Sequence, residues 1–190
     1  MSADQATPTG VYYRREDYVG VARRPLIDLI DVPVAFGLSA LVVVVAWTVL
    51  PGVEASPGIA LLLCGVVCFT YFVLLKRSRF RTLGYIVLGA QIVDLKGGPP
   101  SILSLLGRLF FAFVGPLNFL IDLFWLTGDA NRQAIRDKFA GTYVVRLHAT
   151  PAGAGPIRVR TYMFWGMTFL FREVRGGAPD KRIGVIRARR

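Results

Sequence analysis

The sequence predicts an all-α transmembrane helical bundle: two full spans plus a third broken or hairpin hydrophobic region, with a small cytoplasmic β element. Three observations predict it. Apolar residues make up 54 % of the 190 residues and charged residues only 18 %, where a soluble domain carries about 45–50 % and about 25 %. Residues 32–50 form an uncharged apolar run of 19 residues, close to the roughly 20 needed to cross a ~30 Å hydrocarbon layer. Residues 59–75 form a second such run, ending at the basic cluster Lys76, Arg77, Arg79 and Arg81. The mean hydropathy of +0.50 excludes a disordered chain. A net charge of +11 would suggest nucleic acid in a soluble protein, but here the apolar runs assign it to membrane-flanking segments, and no nucleic-acid partner is expected. Two cysteines and one histidine leave no material for a disulfide framework or a multi-ligand metal site.

The elements follow in chain order. Residues 1–15 are a polar tail without the apolar core of a signal peptide. Pro25 suits a first helical turn, so the first helix begins within RPLIDLID and runs to residue 50. PGVEASPG, residues 51–58, is a turn by composition. Residues 101–127 are apolar but interrupted by Arg108, Asn118 and Asp122, with Gly115-Pro116 mid-way. They could be one tilted span or two short pieces folding back on themselves. Charge favours the hairpin. The 51–58 loop holds no Lys or Arg, while residues 128–190 hold thirteen, which places both termini on the cytoplasmic side of an inner membrane. Residues 82–94 and 142–147 are too short to cross; TYVVR and its neighbours are β-rich, so the two segments should pair as a small sheet. The domain map is then a tail over 1–15, a membrane domain over 16–147, a linker over 148–156 and a basic, aromatic cytoplasmic tail over 157–190. That tail suits the bilayer interface, and the basic run Lys76, Arg77, Arg79 and Arg81 suits anionic lipid.

The candidate site residues are the charges inside apolar sequence, because a charge at a membrane helix centre costs roughly 2.5–3.5 kcal/mol. Arg24, Asp28 and Asp31 stand at i, i+4 and i+7 on one helical face, continued by Ala35, Ser39 and Ala46. Pro33 frees the carbonyl of Leu29 beside the two acids. Carboxylates plus a freed carbonyl suit a proton or small cation, whereas a local ion pair of Arg24 with Asp28 or Asp31 is the structural alternative. Arg108, Asn118 and Asp122 repeat the pattern around Pro116, again either as an ion site or as charges that neutralise each other. Ala60, Cys64 and Cys68 make a small-residue packing face, and His148 reads as a surface residue. No nucleophile–base set lies in the apolar segments. The chain is therefore expected to be no enzyme and to hold no cofactor or metal.

Four stretches carry a resemblance. They are GVARRPLIDLID, TLGYIVLGAQIVDLKGG, Arg108 after SILSLLG, and NRQAIRDKFAGTYVV with Arg132, Gln133, Asp137, Gly141 and Thr142. Together they resemble the RDD family of bacterial membrane proteins, over roughly residues 16–146. By position Arg24 corresponds to the family arginine, Asp31 to the aspartate of its Ile-Asp pair and Asp137 to the acid of the closing block. Asp28 falls where the family carries a small or apolar residue, so Asp28 and Asp31 both remain candidates. The resemblance implies a multi-pass membrane protein, sometimes proposed to transport ligands or exchange cations. Residues and resemblance together give a transporter or exchanger of protons or small cations, acting as a homo-oligomer or with another membrane subunit. The alternative is a non-transporting anchor whose basic tail docks a cytoplasmic protein.

Overall fold

The computed structural model describes residues 8–49, 56–113, 116–129, 131–164 and 167–176. After a short strand, β1 (Thr9–Tyr12), come α1 (Arg23–Val49) and α2 (Pro57–Phe69), the latter prolonged by a π-helical turn, Thr70–Leu75. Among the described residues these are the two helices long and apolar enough to cross a membrane, Arg23–Val49 and Pro57–Leu75. Only 28 % and 11 % of their most apolar windows are buried. The core helix of a soluble protein would be covered on most of its surface; here Leu29, Phe36, Leu61 and Leu62 stand exposed, as lipid-facing residues do. The chain is a membrane protein.

The covered side of α1 is Arg24, Ile27, Asp31, Ala35, Ser39 and Val43, spaced by three and four as one helical face requires. This is the stripe expected from sequence, with Val43 in place of Ala46 and Asp28 only half-buried at its edge. Beyond Asp31, residues 32–49 carry no charge and extend about 27 Å. The buried charges therefore collect at one end of the α1–α2 hairpin and not half-way across it.

At that end the chain folds into a base. It contains α3 (Leu83–Val87), β2 (Ala90–Asp94), α4 (Ile102–Phe113), α5 (Pro116–Gly128), α6 (Ile135–Ala140), β3 (Thr142–Arg146), β4 (Gly153–Phe164) and β5 (Met167–Val174). Five strands in two antiparallel sheets correct the expected all-α transmembrane bundle. One sheet is the expected one: β2 pairs with β3 from Ala90↔Arg146 to Asp94↔Thr142, although Leu83–Val87 ahead of it is helical. The other, in the order β1-β4-β5, is not. Its signal is the period-two pattern of β4, with Val159, Thr161 and Met163 alternating with Arg158, Arg160 and Tyr162. Aromatics beside arginines give that stretch the composition of an interfacial tail and mask the alternation. Strand β4 begins at Gly153, within the stretch that reads as a linker; residues 177–190 of the expected tail and most of the 51–58 turn lie outside the described residues.

The apolar region 101–127 forms two helices of 12 and 13 residues, α4 and α5, each about 18–20 Å long and too short to span. Sheet β2–β3 is the middle layer and is covered on both sides. Ala90, Ile92 and Val144 pack with Ile27, Val73 and Leu105 toward α1 and α2. Val93, Tyr143 and Val145 pack with Tyr13, Tyr18 and Val174 on the other side. Tyr18 joins this layer to the N-terminal segment: it bridges Val145, and its hydroxyl accepts the Tyr13 N–H at 3.1 Å. Removing that buried acceptor leaves a backbone donor without its bond at ~1–3 kcal/mol. Tyr18→Phe is therefore expected to lower the melting temperature measurably in detergent, with no other change in the fold.

Candidate functional site

Helix α6, six residues long, carries three consecutive charges, Arg136, Asp137 and Lys138, and each goes to a different part of the protein. Its start is set by Asp137 itself, whose carboxylate accepts the Ala134 N–H at 3.1 Å. Its end is set by Gly141, at φ 62°, where a side chain would be strained.

Asp137 is fully buried and bound by two arginines. The Arg24 guanidinium of α1 donates to Oδ2 and the Arg108 guanidinium of α4 donates to Oδ1. Arg24 donates further to the Arg132 carbonyl at 2.8 Å, and Arg108 to the Thr142 hydroxyl at 2.8 Å. Gln133 completes the frame by donating to the Thr142 carbonyl at 2.9 Å. Burial alone would raise the Asp137 pKa, but Arg108, Arg24 and Arg136 outweigh it and hold the carboxyl well below the usual carboxylate range. The folded state thus binds this proton less tightly than the unfolded chain does. Its stabilisation is present above the unfolded pKa near 3.8 and is lost as pH falls below it. Thermal melts of the detergent-solubilised protein should show a progressive loss of stability on acidification from about pH 5 downward, blunted in an Asp137→Asn variant that still folds.

Arg136 makes the second group. Its guanidinium donates to Asp28 of α1 at 2.6 Å and lies 2.9 Å from Asp122 of α5, while its backbone N–H donates to Asp122 at 3.1 Å. Burial would lower the Arg136 pKa, but Asp28 and Asp122 overcome it and hold the proton more tightly than usual. Arg24, Asp28, Asp122, Leu126, Ala134 and Arg136 are among the residues lining a small cleft at this junction. Asp28 is the most open of the buried carboxylates, with its side chain 21 % exposed.

Asp31 is a third, separate group. It is fully buried, accepting from the Thr82 hydroxyl at 2.6 Å, the Gly84 N–H at 2.7 Å and the Tyr71 hydroxyl at 3.1 Å. Lys76 stands 4.0 Å away, over the rings of Phe72 and Tyr85. Tyr71 and Lys76 are five residues apart, the reach of one π turn; the widened end of the second long helix brings both to one carboxylate. Lys76 is thus turned inward, whereas Arg77 and Arg79 are exposed.

The expected pairing of Arg24 with Asp28 or Asp31 is overturned, because Arg24 turns to Asp137, 113 positions away in the chain. Nor do Arg108 and Asp122 neutralise each other; they meet Asp137 and Arg136, adjacent residues of α6. Each lies seven positions from residue 115, so their convergence shows that α4 and α5 fold back toward one level. The side chain of Asn118 lies outside the described residues. Arg132 contributes its carbonyl, Gln133 and Thr142 support the frame, and His148 is exposed.

Sequence reasoning missed Arg136, the bridge between two of its own candidate acids, and also Lys138. The ammonium of Lys138 lies 2.6 Å from Asp129 and also meets Glu173 of β5, whose carboxylate accepts the Tyr162 hydroxyl at 2.5 Å. The available signal is the unbroken Arg-Asp-Lys run in a short segment otherwise apolar. Among the described residues no group of three or more His, Cys, Asp or Glu could hold a metal ion.

A family model described as the RDD family matches residues 18–141, well over half of the chain. The chain belongs to the RDD family. The match runs from Tyr18 through Gly141, so the RDD domain contains all three carboxylate groups and ends at the cap of α6. Strands β4 and β5 lie beyond it. Neither the curated proteins nor the solved structures contain a match to the chain. Within the RDD domain, Arg24 and Asp137 form one unit and Asp31 another, with Asp31 bound by Thr82, Gly84 and Tyr71 and not by Arg24.

Proposed function

We propose that this RDD protein moves protons or small cations across the inner membrane, and that Asp28 and Asp122 are the exchanging acids. The observation that carries the reading is the Asp28–Arg136–Asp122 arrangement. Two carboxylates, from different helices that line one cleft, share one guanidinium. A proton or cation arriving at either acid competes with Arg136 for it, and Arg136 then remains with the other. The charge thus has two resting places and one tethered counter-ion, the minimum for an exchange step. Asp31 and Asp137 do not suit this role, because each is buried and its oxygens are occupied by fixed donors. They are the framework of the site.

Two spans enclose no pathway alone, so the reading needs a second copy or another membrane subunit. The face of Ala60, Cys64 and Cys68 along α2 offers room for close helix approach. Both termini lie on the cytoplasmic side, with Arg77 and Arg79 facing anionic lipid. No covalent step is assigned.

Flux in proteoliposomes tests the proposal. Wild-type protein should dissipate an imposed proton or sodium gradient. Asp28→Asn and Asp122→Asn should abolish that flux while melting close to wild type, since each leaves Arg136 one carboxylate. Wild-type flux in both variants would remove these acids from the role. A protein that reconstitutes well but carries no ion would favour the second reading, a membrane anchor for a cytoplasmic partner. That reading draws on the folded β1-β4-β5 sheet beyond the RDD domain, which is joined to it by the Lys138–Glu173 ion pair.

A further inference from the structure

The β4–β5 hairpin has two unlike faces, and the register from Ile157↔Val174 to Phe164↔Met167 assigns residues to each. One face is packed. Phe171 is buried against Phe139 of α6 and Trp125 of α5, with ring centroids 5.0 and 6.2 Å away, and Tyr162 and Glu173 close on Lys138. The other face is packed only at its Ile157–Val174 end, against the β2–β3 layer, and beyond that pair it is open. On it Val159 is 62 % exposed, Met163 80 % and Leu170 67 %, with Thr161, Thr168 and Arg172 exposed between them.

Charge on the hairpin is one-sided. Arg172 stands on the outer face. Arg158 and Arg160 belong by register to the opposite face but are exposed along the edge of β4 that β1 does not reach, Arg160 over the Tyr162 ring at 5.5 Å. The hairpin's one carboxylate, Glu173, lies on the packed face, held by Lys138 and Tyr162 with Arg160 3.7 Å away. The outer face therefore presents apolar side chains and Arg172, with Arg158 and Arg160 along its open edge and no acid among them.

We propose that this face lies on the bilayer surface, with Val159, Met163 and Leu170 in the interfacial layer and the arginines on anionic lipid headgroups. Three features favour a lipid surface over an acidic protein or nucleic acid. The apolar residues that would rest in the interfacial layer alternate with groups that can reach headgroup phosphates, as an interfacial element requires. The charge is complementary to an anionic leaflet, each arginine near such a surface strengthening attachment on the order of fivefold. The hairpin is also continuous with membrane-facing structure: it stacks on Trp125, whose neighbour Phe124 is 78 % exposed on α5. Tethering to a protein already in the membrane makes the attachment intramolecular, at high effective concentration. The hairpin does not take part in the transport proposal, and either can fail alone.

The test uses the full chain with Cys64→Ser and Cys68→Ser, and a single Met163→Cys carrying a solvatochromic dye. It is placed in lipid nanodiscs holding one copy each. With anionic lipid, iodide quenching of the dye should fall several-fold below that of the same dye on free cysteine, and its emission should shift to the blue. With zwitterionic lipid alone, or after Arg158→Gln, Arg160→Gln and Arg172→Gln together, quenching should return toward the free-dye value. A dye as accessible as the free adduct in anionic discs would overturn the proposal. So would protection that is indifferent to lipid charge and to the three arginines, or that arises only when two copies share a disc.

Discussion

Asp137→Ala is expected to be the most damaging single substitution outside the membrane spans, leaving little or no folded protein. The carboxylate holds Arg24 and Arg108 at once and takes the backbone N–H of Ala134, the residue that caps α6. Both arginines are buried, at 4 % and 7 % side-chain exposure. Removing one partner of a buried pair costs about 3–5 kcal/mol, and here two cations lose their partner together. A whole domain is stable by only about 5–15 kcal/mol. Yield of monodisperse protein in detergent and its melting temperature are the readouts. Asp137→Asn should be milder, because its amide oxygen still accepts from one arginine. The double variant, Arg24→Met with Asp137→Asn, should lose less than the sum of the two single losses, because both changes act on one cluster. Wild-type melting in Asp137→Ala would show that the two arginines find other acceptors.

Asp31→Ala should follow closely. Its carboxylate ties the start of α3 to α1 and to the end of the second long helix through Thr82, Gly84 and Tyr71. Three donors would lose their acceptor in a dry place, at ~1–3 kcal/mol each when nothing replaces it. The same junction can be probed by size. A Cβ on Gly84 would come within 2.5 Å of the Ile27 carbonyl and 2.8 Å of Asp31 Oδ1. Gly84→Ala therefore pushes α3 off α1 with the acid still present, at a cost of about 1–3 kcal/mol. If the junction acts as one unit, the double variant should lose less than the sum of the two singles. Additive losses would mean that Asp31 stabilises some other contact.

Much of the fold can be read from the residues alone, and each success has a plain physical reason. The two long apolar helices are legible because their runs are uncharged over the length a bilayer requires. The β2–β3 pair is legible because Thr142-Tyr143-Val144-Val145 is β-branched and aromatic, between a glycine and a turn. Residues 157–174 are harder: arginine and aromatic side chains serve equally at a sheet face and at a bilayer interface. Only their alternation decides, and composition outweighs it. The site is half legible. Buried charge in apolar sequence picks out Arg24, Asp28, Asp31, Arg108 and Asp122, all of which carry interactions in the structure. Their pairings are not legible, because helical spacing ranks neighbours on one helix and contains nothing about α6, more than a hundred residues later. Arg136 escapes notice for the same reason: in sequence it is one of three adjacent charges, and only the folded chain sets it between two acids.

The partner of Arg24 lies 113 residues downstream, which has a consequence for how the protein is made. At ~5–20 residues per second, translation takes roughly 6–23 s to proceed from one to the other. Over that interval the first hairpin is complete while Arg24, and later Arg108, wait without their carboxylate. Membrane insertion and maturation are therefore separate events for this chain. A nascent chain truncated before α6 should insert yet be recognised by quality-control proteases as unfinished, and synthesis of a single short helix should end that vulnerability.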